Sequence, residues 1–481
     1  MLKSVSRRDF LRVASLGASG ILLAACAPKV VEVTKVVERV VKETVMVEGT
    51  PQVVEKVVKE TVVVEKVVEK KPAASTEKIV RILQSSWAVG EIPFDRTARE
   101  FSAAHDGVTV KVETKGEGWD TKLVAQIADG SVDWCGMGIN TPFIAMRQWV
   151  KTQMIQPMDD YIAASKEEGA DKMLSDMIDV VREDGMYEGK FYSFPYSWEN
   201  ITFNWRVDYF NAVGVTEAPA TYEDWLEASL ELKKWGAAEQ IYPTAFAGGL
   251  HTDAWAILAG KMDNCYLENG LLRWESPEME ETLAFMYKLI VEEELTPPHG
   301  HDGWLDAYYS GKVASVQAQS SRGVWGQNAF GTDKVATSNV ATKAKGYVGS
   351  GTVVWGNGTS LINKAPYPQE AMDYLIYTMG PQNVGFHKTV IKTGKTPVYE
   401  SIYADVIATD PQFRTYQWML GELENARQSL VCPRSCEFSI QNSAYSKHVV
   451  PFLEKDAGVS PKECALAIWK DVQDEVAKIK L

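Results

Sequence analysis

Residues 29–71 divide the chain before any fold is considered. This stretch holds 18 Val, nine Lys or Arg, eight Glu and no aromatic residue. Nothing there can serve as the large apolar anchors of a core, so the stretch cannot form a globular domain by itself. It also repeats: Val40 to Glu48 reads VVKETVMVE, and Val57 to Glu65 reads VVKETVVVE. The Val pairs recur every three to four residues, which leaves a helical or coiled-coil stripe open. Val is a poor helix former, however, and Gly49-Thr50-Pro51 interrupts the run. The stretch is expected to be a spacer reaching about 140 Å if extended and about 65 Å as a helix. Association of several chains through the Val stripe is the alternative.

What precedes the spacer reads as an address. Ser6-Arg7-Arg8-Asp9-Phe10-Leu11-Arg12 is followed by an apolar run from Val13 to Ala25. That run has the length of a signal peptide and is short for a membrane span. The S-R-R-x-F-L pattern resembles the twin-arginine export signal. The run closes on Leu23-Ala24-Ala25-Cys26, which resembles a bacterial lipobox. The resemblance implies cleavage of residues 1–25 and lipidation of Cys26, with residues 26–72 as the tether. The acyl chains would hold the protein at the outer face of the cell membrane by burying CH2 groups, each contributing about 0.8 kcal/mol.

The chain as a whole is 45% hydrophobic and 24% charged, the composition of an ordinary soluble protein, and residues 73–481 form its body. Its length suggests two lobes. The whole chain carries −14, and without residues 1–25 and 29–71 the remainder holds 37 basic and 55 acidic residues, a net of about −18. This excludes a nucleic-acid footprint. It disfavours an anionic ligand only weakly, because one Arg in a cleft overrides the global field. No G-x-S-x-G, H-E-x-x-H or P-loop spacing occurs. No cofactor is expected. His299-Gly300-His301-Asp302 resembles a fragment of a metal site, but further ligands at usable spacing are missing and no metal is expected. Besides Cys26 there are five cysteines, so at least one has no internal partner. Cys432 and Cys436 flank C-P-R-S-C and could be bridged, or could be two unrelated buried thiols.

Ile79–Leu83 reads as a first buried strand, 94–104 as a helix, 108–112 as a second strand, 119–128 as a helix and 132–137 as a third strand. This alternation predicts an α/β fold with a parallel sheet, whose ligands bind beyond the carboxyl ends of the strands. Ser85-Ser86-Trp87 stands at that place.

Six segments in order then carry a family resemblance: Met154-Ile155-Gln156-Pro157-Met158-Asp159-Asp160-Tyr161, Gly189-Lys190-Phe191-Tyr192-Ser193-Phe194-Pro195, Phe203-Asn204-Trp205-Arg206-Val207-Asp208-Tyr209-Phe210, Pro219-Ala220-Thr221-Tyr222-Glu223-Asp224-Trp225, Gly311-Lys312-Val313-Ala314-Ser315 and 364–374. The body resembles the family 1 extracellular solute-binding proteins of ABC importers, which include the maltose-binding protein. The resemblance implies a two-lobed periplasmic-binding-protein fold with a ligand cleft between lobes. Lobe 1 is expected over about 79–197 and 316–380, and lobe 2 over about 198–315 and 381–481. It implies capture of a small polar solute, most readily a sugar or oligosaccharide, by hinge closure, and delivery to the transmembrane subunits of a permease, without catalysis. A polyamine is the alternative ligand. An exported glycan hydrolase and a stalked sensor are the alternative functions.

A sugar site needs flat aromatic rings and planar polar groups, since each unmatched hydroxyl leaves a buried partner unsatisfied. All 15 Trp lie in the body, more than half of them expected in the core, with Trp225, Trp274 and Trp469 on helices. Segments that border the cleft in the family place Trp87, Asn140, Thr141, Trp198, Glu199, Ser320, Ser321, Arg322, Trp325, Trp355 and Gly356 as ligand-binding candidates. Glu437, Phe438, Trp255 and Trp304 are weaker ones.

Overall fold

The computed structural model describes residues 30–47, 50–67, 77–298, 303–454 and 458–479. The expected export signal, Cys26 and His299–Asp302 lie outside the described residues. The chain divides into two units, Met1–Thr76 and Glu77–Leu481.

In the first unit, strands β1 (Val30–Val47) and β2 (Thr50–Val67) pair antiparallel along their whole length, from Val30 opposite Val67 to Val47 opposite Thr50. The Val-rich stretch therefore pairs as antiparallel strands and is not the helical stripe left open by the Val spacing. Branching at Cβ restricts Val in a helix and suits it to a strand, and in this register Glu38 lies opposite Lys59 and Lys42 opposite Glu55.

The second unit begins with β3 (Lys78–Gln84), helices α1 (Ser86–Glu91) and α2 (Phe94–Ala104), β4 (Val108–Thr114), α3 (Trp119–Asp129), β5 (Gly136–Asn140) and α4 (Pro142–Lys151). Strand β3 runs parallel to both β4 and β5. The third strand lies a few residues later than the apolar pattern suggests. The short strands β6 (Ile155–Gln156), β7 (Met186–Tyr187) and β8 (Lys190–Phe191) follow, with α5 (Asp179–Asp184) between the first two.

Strand β9 (Phe194–Arg206) is the axis of the molecule, buried at every one of its 13 residues. It continues to β10 (Ala245–Phe246), β11 (Ser315–Gln319), α6 (Ser321–Phe330), β12 (Val335–Ser338) and β13 (Val354–Ile362). The sheet order is β10-β11-β9-β13-β5-β3-β4. The sheet is mixed, not parallel throughout: β13 is antiparallel to both β5 and β9, and β11 is antiparallel to β9. Phe194–Asn200 pair with β13, and Ile201–Trp205 pair with β11. One continuous strand thus belongs to lobe 1 in its first half and to lobe 2 in its second.

The return passage differs from expectation. The expected lobe bounds put it near residue 316, but β11 pairs with β9 and β10 there, and β12 then pairs with Phe203–Arg206. These ladders keep the chain in lobe 2 until β13. Residues 381–426, expected in lobe 2, pack in the lobe 1 core: Phe386, Val390, Ile391, Tyr399 and Met419 are buried with Val80, Phe94 and Trp198. The helices here are α7 (Val384–Lys392) and α8 (Trp418–Arg427). A third passage at 428–437 leads to α9 (Phe438–Phe452), whose Tyr445 and Val449 join Trp225, Trp274 and Leu283 in the lobe 2 core. Among the described residues no helix is long and apolar enough to cross a membrane.

Candidate functional site

A strand buried on both faces is normally apolar, yet the middle of β9 reads Ser197-Trp198-Glu199-Asn200. Buried polar groups of this kind must find partners. Register decides where each points. Glu199 lies opposite Trp355, and Ser197 opposite Asn357, so these four residues share one face of the sheet. Trp198 lies on the other face. Its indole N–H donates to the Pro397 carbonyl at 2.8 Å and to the Tyr403 hydroxyl at 3.1 Å, inside the lobe 1 core. Trp198 is therefore a packing residue and is removed from the candidate ligand set. The alternation of side chains along a strand separates it from its neighbour Glu199.

Both oxygens of Glu199 are engaged. Ser321 Oγ donates to one at 2.6 Å, and Asn357 Nδ2 donates to the other at 3.1 Å. Lys395 Nζ stands 3.6 Å from Glu199 and 3.8 Å from Glu91, and 4.6 Å from the centre of the Trp87 ring. The Arg322 guanidinium lies over Trp325 at 4.3 Å. Burial pushes the Glu199 carboxyl upward, but Lys395, the Ser321 hydrogen bond, Arg322 and Asn357 together outweigh burial, and its pKa falls below the usual value. Glu199 is thus an ionised acceptor. Three elements bring these groups together: α1 supplies Trp87 and Glu91, the N-terminus of α6 supplies Ser321 and Arg322, and the turn after α7 supplies Lys395. Gly394 makes that turn possible. Its φ is +87°, and a Cβ there would meet Val324 Cβ at 2.8 Å and Ser321 Cα at 3.1 Å. Trp325 Nε1 donates to the Thr393 carbonyl at 3.3 Å, a second contact of α6 with lobe 1.

Around this cluster several buried polar atoms make no hydrogen bond within the structure: Glu91 Oε2, Asn140 Oδ1, Gln319 Oε1, Ser320 Oγ and Arg322 Nε. Asn140 is held by its amide nitrogen, which donates to Ser85 Oγ at 3.1 Å. Asn140 and Ser85 stand at the carboxyl ends of β5 and β3, where an α/β sheet presents ligands. Thr141 has φ +58° at the start of α4, and its N–H donates to the Gly356 carbonyl at 3.2 Å. Gly356 acts through its backbone: its N–H donates to Asp184 at 2.7 Å.

Trp355 enters an aromatic group that joins the lobes. Phe143 from α4 meets Phe438 at 5.1 Å, Trp255 at 5.4 Å and Trp355 at 6.4 Å between ring centres. His251 lies edge-on to Trp355 and Phe438. Burial drives its pKa down to about 4, with Asp253 opposing, so it is neutral at pH 7. Beside this group opens a cavity of about 470 Å³ lined by Phe143, Arg147, Lys151, Arg434, Glu437 and Phe438. Another of about 490 Å³ lies against the return passage, lined by Ala220, Gly260, Asn339, Ala341 and Asn425, away from the charged cluster. Glu437 pairs with Arg147. Trp304 packs beside Tyr308 and Val313 in a separate lobe 2 cluster and is not part of either group. Trp225, Trp274 and Trp469 are buried in the lobe 2 core. Among the described residues no group of three or more metal-type side chains is found.

Sequence reasoning missed Glu91, Lys395, Asn357 and His251. Asn357 carries a signal in retrospect, a polar residue at strand spacing from Trp355. Lys395 carries none, because nothing local ties a lysine after α7 to a glutamate nearly 200 residues earlier.

The profile of bacterial extracellular solute-binding proteins matches residues 96–415. Comparison with curated protein sequences finds no match. Among solved structures, the ABC substrate-binding protein Lmo0181 from Listeria monocytogenes in complex with cycloalternan superposes with a TM-score of 0.67 at 18% identity, covering 83% of this chain and 99% of that one. Maltose-bound MalE3 of T. maritima gives 0.65 at 16% identity, covering 82% and 99%. An ABC transporter solute-binding protein from Agrobacterium vitis with bound D-mannitol gives 0.63 at 16% identity, covering 84% and 99%. With two lobes on one hinge strand, a polar cluster between them and a family profile spanning most of the body, this chain belongs to the bacterial extracellular solute-binding proteins.

Proposed function

We propose that the protein captures a neutral polyhydroxylated solute, a sugar, oligosaccharide or sugar alcohol, by closing its lobes and passes it to the transmembrane subunits of an ABC importer. The observation that carries this reading is the hinge cluster. Glu199 is ionised and accepts, Lys395 and Arg322 donate, Trp87 and Trp325 supply ring faces, and polar atoms around them have bonding capacity unused. Hydroxyls both donate and accept, so they match a mixture of this kind better than an ion does. Two acids face two bases in the cluster, which gives a polyamine no net attraction despite the acidic surface. Glu199 has no proton to give a glycosidic oxygen, which disfavours the hydrolase. Twin-arginine export, lipidation at Cys26 and a tether holding the body off the membrane complete the reading.

The test is thermal unfolding and tryptophan emission of the purified protein against sugars, sugar alcohols and polyamines. A ligand at a hundred times its dissociation constant adds about 2.7 kcal/mol. A shift with one sugar or polyol class, lost in Glu199→Ala, supports the proposal. A shift with polyamines alone overturns the ligand class, and release of product from an oligosaccharide overturns the transport role.

A further inference from the structure

The third passage between the lobes carries a pair of cysteines. Cys432 and Cys436 are both buried, 2% and 1% exposed, and their sulfurs lie 3.2 Å apart with no bond between them. The Cys436 N–H donates to the Pro433 carbonyl at 2.9 Å, which closes a turn between the two thiols. At the tip of that turn Arg434 reaches into lobe 1. Its Nη2 pairs with the Asp184 carboxylate at 2.5 Å and also donates to the Asp184 carbonyl. The other Asp184 oxygen accepts from Gly356 N–H in β13, beside Trp355 and Asn357. On the far side, Gln441 donates to the Cys436 carbonyl and accepts from Trp274 Nε1 at 2.7 Å in the lobe 2 core. Cys135, Cys265 and Cys464 are buried without a sulfur partner among the described residues.

We propose that Cys432 and Cys436 are joined by a disulfide in the exported protein, and that this bridge sets the third interlobe passage by fixing the turn that presents Arg434 to Asp184. Two sulfurs already in contact across a closed turn need about 1.2 Å of approach to reach bonding distance. The extracellular side on which this family works supports such bonds. The chemistry favours one direction. Burial raises the Cys432 thiol, while the hydrogen bond from Cys432, aided by Arg434 and opposed by burial, lowers Cys436. Cys436 is therefore the readier of the two to lose its proton and attack. It displaces one sulfur of the disulfide of a thiol–disulfide oxidant, forming a mixed disulfide. Cys432 then loses its proton and displaces the second oxidant thiol. Two electrons and two protons pass to the oxidant, which leaves as two thiols. Both cysteines are buried in the packed turn, so the oxidant reaches them through a local opening of that turn in the folded protein.

Trypsin supplies a direct readout, because it cuts after Arg434, between the two cysteines. The full chain is isolated from an exporting host and denatured in excess N-ethylmaleimide before digestion. A bridged protein yields 428–434 linked to 435–447, and the pair separates on reduction with dithiothreitol. Recovery of both peptides singly alkylated, unlinked, overturns the bridge. In native buffer, reduction should lower the unfolding midpoint by about 2–3 °C, given the short loop closed and the size of the body. The double variant Cys432→Ser with Cys436→Ser should unfold with the reduced protein. A midpoint that reduction leaves unchanged overturns the claim that the bridge sets the passage.

Discussion

Glu199 and Glu422 are both buried carboxyls near the centre of the hinge, and their surroundings drive them apart. Glu199 is held below its ordinary value by two cations and two donors acting against burial. Its contribution is present above the unfolded pKa and is lost as pH falls through the lower folded one. Glu199→Ala should cost about 3–5 kcal/mol in denaturant titration at pH 7, because it leaves Lys395 buried with one fewer partner. It should also weaken solute binding by about 100-fold, whereas Glu199→Gln retains an acceptor and loses less of both. Glu422 in α8 is the opposite case. Burial raises its pKa to about 7, opposed by a hydrogen bond from Asn200. Folding therefore favours the protonated form, and stability declines as pH rises from the ordinary carboxyl range to about 7. Glu422→Gln keeps an acceptor for Asn200 and removes the charge. It should leave stability at pH 4 nearly unchanged and raise it at pH 8 by up to about 3 kcal/mol, read as the midpoint in urea.

Elements show what the sequence could and could not disclose. Helix α2 spans the predicted 94–104, since Phe94, Ala98 and Phe101 recur at helical spacing and are buried. Glu199, Ser321, Arg322, Trp87 and Trp325, far apart in the chain, lie around one charged cluster. Trp198 was misplaced because motif position says nothing of which strand face a residue occupies. The Val-rich stretch is ambiguous in sequence because its Val pairs suit a helix stripe and a strand about equally, and only cross-strand register resolves it. Lys395 was invisible because its partners are distant in the chain. The turn that delivers it gives a prediction of its own. Gly394 has positive φ and lies against α6, so Gly394→Ala adds about 1–2 kcal/mol of backbone strain and intrudes on Ser321 and Val324. The variant should bind solute about 10-fold more weakly by isothermal titration, with lobe 1 still folded by circular dichroism.

At the scale of the whole molecule, the lobes are joined three times: within β9, before β13, and through the turn at Cys432. The lobe assignment from sequence failed after residue 316 because a passage between lobes has no composition of its own. It is defined by which half of β9 each later strand pairs with, and only the ladders reveal that. The same geometry explains how few contacts decide closure. The cluster couples the lobes through Ser321 on Glu199 and Trp325 on the Thr393 carbonyl, with Phe143 and Trp255 packed at the other end of the cleft. A solute stabilises the closed form only by the difference between its affinities for the closed and open states, so losing one lobe-to-lobe contact should appear as lost affinity while each lobe stays stable. Trp325→Phe keeps a ring under Arg322 and removes only the donor to Thr393. One neutral hydrogen bond contributes about 1 kcal/mol. The variant should therefore bind about fivefold more weakly and, in solution X-ray scattering without solute, show a larger radius of gyration than the parent. An unchanged radius with unchanged affinity would mean that the Trp325–Thr393 contact does not hold the lobes together.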